Sequence, residues 1–483
     1  MKNLLQKQWL IAVCLLLISI LVRFPFYFID VINWDESTFI LMGQSLLDGH
    51  LPYTELWDIK PPLAFVAFAV FIMVLGKSIL AIRIAGTLCV FLTSWFVYVA
   101  GRELGDRSVG FLAGIITIFA MSLIRGGQST LTEHIACVFL VGGLAWLITR
   151  TMTPGVLFVG GSLLTGATLV RLNLAYVVIG VGIWLLYSKF KHQKVTWGGI
   201  FAYCFGSFCL IFLTYLPYLI TGDSLIWFNS VVLAPLSYAG SMEQMATGKK
   251  ILGACLIYLT LSQIGQRIFS KKQQEFSLLQ LLLFATVISI LRGGEFHQHY
   301  YIQLAPLLAL TVALFWGRLP SHKGRLIIVG LAVAILLPIA QPISGQYQLI
   351  GDRLKTGKTL PYGDSYEIVE YLQQHNPEQR PVYLMKNHLV YWLTDLKPLS
   401  KAATHPSNLG KDYLFRYIDG AASSAEGELR KILATQPKFI VKKENLSHVE
   451  KHPGANLLFQ QVLTTKYRLV KKIDDREIYQ IRS

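Results

Sequence analysis

Residues 33–65 read "NWDESTFILMGQSLLDGHLPYTELWDIKPPLAF", which sets Asp35 beside Glu36 and puts Asp58 and Lys60 just ahead of Pro61 and Pro62. Further along, Arg125 precedes "GGQST", Glu133 follows Thr132, Arg171 and Asn173 stand between two apolar runs, and "RGGEFHQHYY" (292–301) carries His297 and His299. A positioned carboxylate can take a proton from an attacking hydroxyl. Lys and Arg can hold a phosphate and stabilise it as it departs, with no need for an acid to protonate it. Carboxylates and cations together suit a substrate with a lipid tail and a phosphate head. Motifs for other chemistries are missing: the chain has no GxxxxGK[ST], no GxGxxG between a strand and a helix, no Gly-x-Ser-x-Gly and no HExxH.

Each of these residues also has a plainer reading. Asp35 and Glu36 could be first-turn carboxylates favoured by the helix dipole. Neighbours on a helix diverge by about 100°, so the two are expected to do different jobs, one toward an acceptor and the other structural or metal-holding. Lys60 could be a snorkelling interfacial lysine. Two prolines that fix the backbone after it favour a rigidly presented cation instead. Glu133 could cap a helix after Thr130 and Thr132, and Arg125 and Arg171 could anchor span ends. His297 and His299 would face different sides of a helix, which favours packing or a hydrogen bond to substrate over a metal pair. Tyr300 and Tyr301 could stack a sugar or an isoprenoid, or pack in a core.

The elements that position these residues are membrane helices. The chain is 53% hydrophobic and 15% charged, against roughly 25% charged in soluble domains. Its net charge of +16 reads as Lys and Arg gathered in cytoplasmic loops; no basic stripe interleaved with aromatics points to nucleic acid. The six cysteines all lie in apolar runs without CxxC spacing, which excludes a thiol metal site or a disulfide framework. Lys2 and Lys7 precede the first apolar run, which lacks a small-residue cleavage site and reads as a retained span.

A span needs about 20 apolar residues. About eleven candidates lie near 8–29, 79–100, 108–124, 132–149, 155–172, 174–190, 198–220, 250–268, 276–292, 300–317 and 324–343. The loops at 101–107, 149–155, 189–194, 266–275 and 317–325 are basic, so they are assigned to the cytoplasm. Residues 30–78 then form one long external loop. Within it, a helix from Asp35 to Leu47, stopped near Gly49, and a second from Pro62 to Gly76 are too short to span and are read as lying in the outer leaflet. Asp35, Glu36, Asp58, Lys60, Glu133, Arg171 and His299 all fall on that same outer side.

Residues 344–483 are polar. "DSYEIVEYLQQHN" is helix-like, "RPVYLM", "KFIVKK" and "REIYQI" are strand-like, and "SSAEGELRKIL" places Ser423 and Glu426 at capping-box spacing. The fold class is therefore an all-α polytopic membrane domain (1–343) with a small extracytoplasmic α/β domain (344–483).

These motifs carry a family resemblance. "NWDESTFILMGQSLLDG" followed by "WDIKPPL", then "STLTEHIACVF" and "EFHQHYYIQLAPLLAL", resembles the GT-C superfamily. Within it, the chain is similar to the dolichyl-phosphate-mannose-protein mannosyltransferase and aminoarabinose-transferase-like group, in particular the bacterial RgtA/B/C/D-like glycosyltransferases. The likeness covers roughly residues 8–320. It implies transfer of a monosaccharide from a polyprenyl-phosphate donor to a lipid, glycan or protein hydroxyl at the outer face of the inner or plasma membrane, with inversion. On this resemblance Asp35 is the general base, with Glu36 and Glu133 as the other catalytic carboxylates. Lys60, Arg171, Arg125 and His299 are the expected donor-phosphate contacts. Some relatives have a metal-linked acid directly before the lysine; here Ile59 stands there and Asp58 precedes it, which leaves a divalent metal open and implies no other cofactor. A ligase or transporter of lipid-linked glycans is the alternative, though a transporter predicts internal repeats and midplane polar residues, and neither is seen.

Overall fold

A computed structural model of the chain describes residues 8–193, 195–240, 250, 253–255, 258, 272–292, 297–321, 341–420, 423–444 and 449–482. The elements run α1 (Gln8–Arg23), α2 (Trp34–Leu47), α3 (Pro62–Leu75), α4 (Ile79–Leu104), α5 (Arg107–Leu123), α6 (Thr132–Ile148), α7 (Pro154–Val170), α8 (Ala175–His192), α9 (Trp197–Thr221), α10 (Gln273–Arg292), α11 (Ala305–Arg318), α12 (Asp364–His375), β1 (Val382–Leu384), α13 (Ala425–Ala434), β2 (Phe439–Lys443), α14 (Pro453–Lys466), β3 (Tyr467–Ile473) and β4 (Arg476–Ile481). Short helical turns lie between some of them. The chain divides into two compact units, a helical one of residues 1–27, 83–214 and 242–352, and a mixed one of residues 28–82, 215–241 and 353–483.

Five described helices are long and apolar enough to cross a bilayer: Gln8–Phe26, Ile79–Leu104, Leu172–Lys191, Trp197–Thr221 and Gln273–Arg292. Four more of the expected spans are the shorter apolar helices α5, α6, α7 and α11. The last two, 250–268 and 324–343, lie largely outside the described residues.

In the helical unit α5 packs on α1 and α11, α6 on α7, and α8 on α10. Close helix approach in an apolar solvent depends on small residues, and α7 and α9 use them reciprocally. A Cβ on Gly161 would meet the Tyr203 carbonyl at 2.3 Å, and one on Gly206 would meet the Phe158 carbonyl at 2.2 Å. The adjacent Ser162 and Ser207 each donate to the opposite glycine's carbonyl, at 3.1 and 3.3 Å. Arg23, at the end of α1, is buried, and its guanidinium donates to the carbonyls of Gly127, Gln128 and Ser129. It therefore fixes the turn that leads into α6, the helix that carries Glu133.

In the mixed unit α2 begins at Asn33, whose side chain caps the Asp35 N–H. Gly49, with φ +94°, follows its end. Helix α3 starts at Pro62 and stops at Gly76, also at φ +94°. The two boundaries predicted for this loop hold to within a residue. Helix α2 is not buried on one side alone, as a helix lying in a leaflet would be. Residues Glu36 to Gly43 are all buried, because α3 covers one side at Gly43, where a Cβ would lie 2.8 Å from that of Phe68. Other segments of the unit close the rest, as when Thr38 Oγ1 donates to the Thr404 carbonyl at 2.9 Å.

The sheet has strand order β1-β2-β4-β3. Strands β1 and β2 are parallel, with short helices at Leu389–Thr394 and Asp412–Ile418 and then α13 between them, while β4 runs antiparallel to both β2 and β3. Three of these strands match sequence expectations. Strand β3 was not expected. The helix cap is also one residue later than expected: Ser424, not Ser423, caps α13 by accepting from the Gly427 N–H. No capping box with Glu426 forms, since that carboxylate pairs with Arg430 one turn on.

Candidate active site

Asp35 occupies the first turn of α2 and keeps 27% of its side chain exposed, while its neighbour Glu36 is 2% exposed. The helical divergence of the pair thus sends one carboxylate toward solvent and the other inward. The partner of Asp35 comes from far along the chain: His405 Nε2 lies 3.1 Å from Asp35 Oδ1. The other ring nitrogen, Nδ1, accepts from the Ser407 backbone N–H at 3.1 Å and faces the Ser407 hydroxyl at 2.7 Å. A backbone N–H can only donate, so Nδ1 is the acceptor and the ring proton sits on Nε2, directed at the carboxylate. The Thr404 hydroxyl donates to the Trp57 carbonyl at 2.6 Å and its own carbonyl receives Thr38, which fixes the turn that delivers His405. Sequence reading missed His405.

Lys60 is held from both sides of its backbone. Its N–H donates to Asp58 Oδ1 at 3.1 Å, and its carbonyl accepts from the Tyr53 hydroxyl at 2.6 Å. Tyr53 sits at φ +73° and is itself buried. With Pro61 and Pro62 following, little backbone freedom remains. The Lys60 ammonium has no ion pair among the described residues. Asp58 is buried and turned onto the Lys60 backbone, and no group of three or more His, Cys, Asp or Glu side chains among the described residues could hold a metal ion. Among the described residues Asp58 and its neighbours thus do not make a divalent-cation site.

The helical unit gathers a second cluster. Arg171, between α7 and α8, forms an ion pair with Glu133 on α6, with side chains only 6% and 1% exposed. Arg171 Nη1 also donates to Thr132 Oγ1 at 3.2 Å, and its guanidinium lies over the Tyr300 ring at 4.7 Å. His299 Nε2 is 3.7 Å from Glu133 Oε1. Asn173 donates to Gln303 Oε1 at 3.1 Å and to Ser289 Oγ at 3.0 Å. Glu133, Arg171 and His299 are thus brought together, with Tyr300 as the aromatic partner of the cation. Arg125 is not: it is exposed on the turn before α6.

With this geometry in view, known proteins supply a frame. Residues 59–220 match the family model described as dolichyl-phosphate-mannose-protein mannosyltransferase, about a third of the chain. A dolichol phosphate-mannose mannosyltransferase of Haloferax volcanii is 25% identical over 224 residues, 44% of this chain and 46% of the relative. The chain therefore matches about half the length of that curated relative. Among solved structures, ArnT from Cupriavidus metallidurans in the apo state superposes with a TM-score of 0.59 over 95% of each chain, at 12% identity. The same protein bound to undecaprenyl phosphate gives 0.57 at 12% identity, over 98% of this chain and 97% of that one. The Archaeoglobus fulgidus oligosaccharyltransferase in its apo form gives 0.54 at 12% identity, over 90% and 69%. The chain therefore shares the fold of ArnT and of the oligosaccharyltransferase, in agreement with the family resemblance of its sequence.

Proposed function

We propose that the protein is an integral membrane glycosyltransferase. It moves a monosaccharide from a polyprenyl-phosphate donor to a hydroxyl of a lipid, glycan or protein acceptor on the outer face of the plasma or inner membrane, with inversion. The observation that carries this reading is the partly exposed Asp35 carboxylate, held by a histidine whose proton position is fixed by the backbone, in a fold shared with a protein solved with undecaprenyl phosphate. In the reaction the acceptor oxygen attacks the anomeric carbon and gives its proton to Asp35. The bond from that carbon to the phosphate oxygen breaks, and the electron pair leaves with the polyprenyl phosphate. Lys60, with its fixed backbone and an ammonium that has no ion pair among the described residues, meets the phosphate. Arg171, Arg125 and His299 are the other donor-phosphate contacts in this reading. Residues 1–343 form the catalytic membrane domain and 344–483 the extracytoplasmic one. The contact of His405 with Asp35 favours a share of the site for the C-terminal part.

The test is transfer from a panel of radiolabelled polyprenyl-phosphate sugars in membranes containing the protein. Labelled product with release of polyprenyl phosphate is expected. Passage of an intact lipid-linked sugar across the bilayer, with no cleavage, would support a transporter instead. Lys60→Ala is expected to weaken donor binding by roughly ten- to a hundredfold, since a charge-assisted hydrogen bond contributes about 1.5–3 kcal/mol. Unchanged donor affinity in that variant would remove the phosphate role.

Orientation has its own check. The basic loop 101–107 is assigned to the cytoplasm. A Ser108→Cys protein in intact spheroplasts is expected to resist an impermeant maleimide and to react after permeabilisation. Labelling from outside would invert the assignment of faces.

A further inference from the structure

A small cavity of about 180 Å³ opens in the mixed unit at the first turn of α2, with Trp34, the residue before Asp35, and Pro406, the residue after His405, in its lining. Trp34 and Ser37 line it from the helix, Lys386, Asn387 and His388 from the segment after β1, and Arg476 from β4. Its carboxylates are already engaged. Asp30 Oδ2 accepts from the Ser365 N–H at 2.8 Å and so caps α12 from outside that helix. Gly363, at φ +128°, has no room for a Cβ against the Asp30 carboxylate. Asp364 pairs with Arg476 at 3.0 Å.

Two groups in the cavity are left over. Lys386 is only 9% exposed, and its ammonium lies 3.8 Å from the centre of the Trp34 ring, with no carboxylate within ion-pairing distance among the described residues. Burial, and then the nearby Arg476 and Lys443 cations, push this ammonium down to about 8. Asn387 is 8% exposed; its Nδ2 donates to Ser365 Oγ at 3.2 Å, while its buried Oδ1 accepts nothing among the described residues. Asn387 also sits at φ +54°, a conformation that Asn tolerates better than most residues. A buried cation whose neighbouring carboxylates, Asp364 and Asp475, are paired with Arg476 and Lys443, and a buried acceptor without a donor among the described residues, are both costly. Both are relieved by one ligand that brings an anion and a hydroxyl together.

We propose that this cavity is an acceptor subsite for an anionic sugar ring, whose carboxylate or phosphate meets Lys386 and whose hydroxyl donates to Asn387. The assignment to the acceptor rests on the glycosyltransferase reading above, because the proton taken by Asp35 must come from the acceptor. The cavity is smaller than the roughly 300–1,000 Å³ of drug-sized sites, which suits a single ring or head group.

The experiment reads binding alone. Full-length protein in lipid nanodiscs is briefly acetylated, and modification of Lys386 is followed by mass spectrometry with exposed Lys358 as the internal standard. The probes are glucuronate, glucose 6-phosphate, glucose, inorganic phosphate, and decaprenyl phosphate added to the disc. Glucuronate, glucose 6-phosphate or both should slow Lys386 modification at least fivefold while Lys358 is unaffected, and glucose should not. The carboxylate and phosphate arms separate the two anion types. Equal protection by inorganic phosphate would mean an adventitious ion only and would overturn the sugar subsite. Protection by decaprenyl phosphate would give the cavity to the donor, and no protection by any probe would overturn it outright. A Lys386→Gln protein should bind the protecting probe at least tenfold more weakly by saturation-transfer NMR, and unchanged binding there counts against the proposal. Because no turnover is read, a failure here is distinguishable from a failure of the transfer assay.

Discussion

Asp35→Asn is expected to lower sugar transfer by about 10²–10⁴-fold, the range for loss of a positioned general base, while donor binding stays within a few-fold of the parent. An alcohol does not ionise near neutral pH, so its attack on the anomeric carbon needs an acceptor for the proton as the new bond forms. The amide keeps the shape of the carboxylate and can still face His405 Nε2, which lies 3.1 Å from Asp35 Oδ1, but it cannot take that proton. His405 separates chemistry from mere structure. It touches the base and is a positioning residue. His405→Ala should lower kcat with little change in acceptor KM, and His405→Gln, which offers an amide donor from a similar reach, should recover much of the loss. An Asp35→Asn protein with near-normal turnover on a defined donor would sink the base assignment. Glu133→Gln would then be tested in its place.

The two halves of that dyad were unequally legible in the sequence. Asp35 stands at the start of a helix marked by local signals that need no tertiary information: Gly49 at its end, prolines ahead of the next helix and Gly76 closing that one, all of which hold in the structure. His405 lies 370 residues away, in a turn of Thr, Pro and Ser with no periodicity, so nothing local ties it to a carboxylate. Lys386 and Asn387 were hidden for the same reason. Strand β3 escaped because only its ends, Tyr467 and Ile473, are buried, and a register shift between Leu469 and Lys471 breaks the alternation that would reveal it. The burial of α2 on more than one side was also illegible, since the residues that cover it come both from the neighbouring α3 and from Trp392 and Thr404 far along the chain. Glu133 and Arg171 could each be named from their places at span ends, but their ion pair could not, because spacing along the chain says nothing of which span ends meet.

That ion pair carries the second large effect. Both side chains are almost fully buried, and removing one partner of a buried pair leaves an uncompensated charge at a cost of about 3–5 kcal/mol. Glu133→Gln alone should therefore strip the Arg171 guanidinium of its counter-ion, although Thr132 and the Tyr300 face remain to it, and lower thermal stability in detergent sharply. Arg171→Met alone should do the same to Glu133, with His299 at 3.7 Å left as the nearest cationic candidate. The double variant Glu133→Met/Arg171→Met is expected to regain most of the lost stability, because well-packed apolar residues often replace a buried pair at no cost. It should not regain donor binding if the guanidinium also faces the lipid phosphate. Stability and donor affinity thus move apart in one set of three proteins, and the coupling between the two positions follows from the double-mutant cycle. Single variants as stable as the parent would show that the two groups do not depend on each other. Restored donor binding in the double variant would confine the pair to a structural role and leave Lys60 to meet the phosphate.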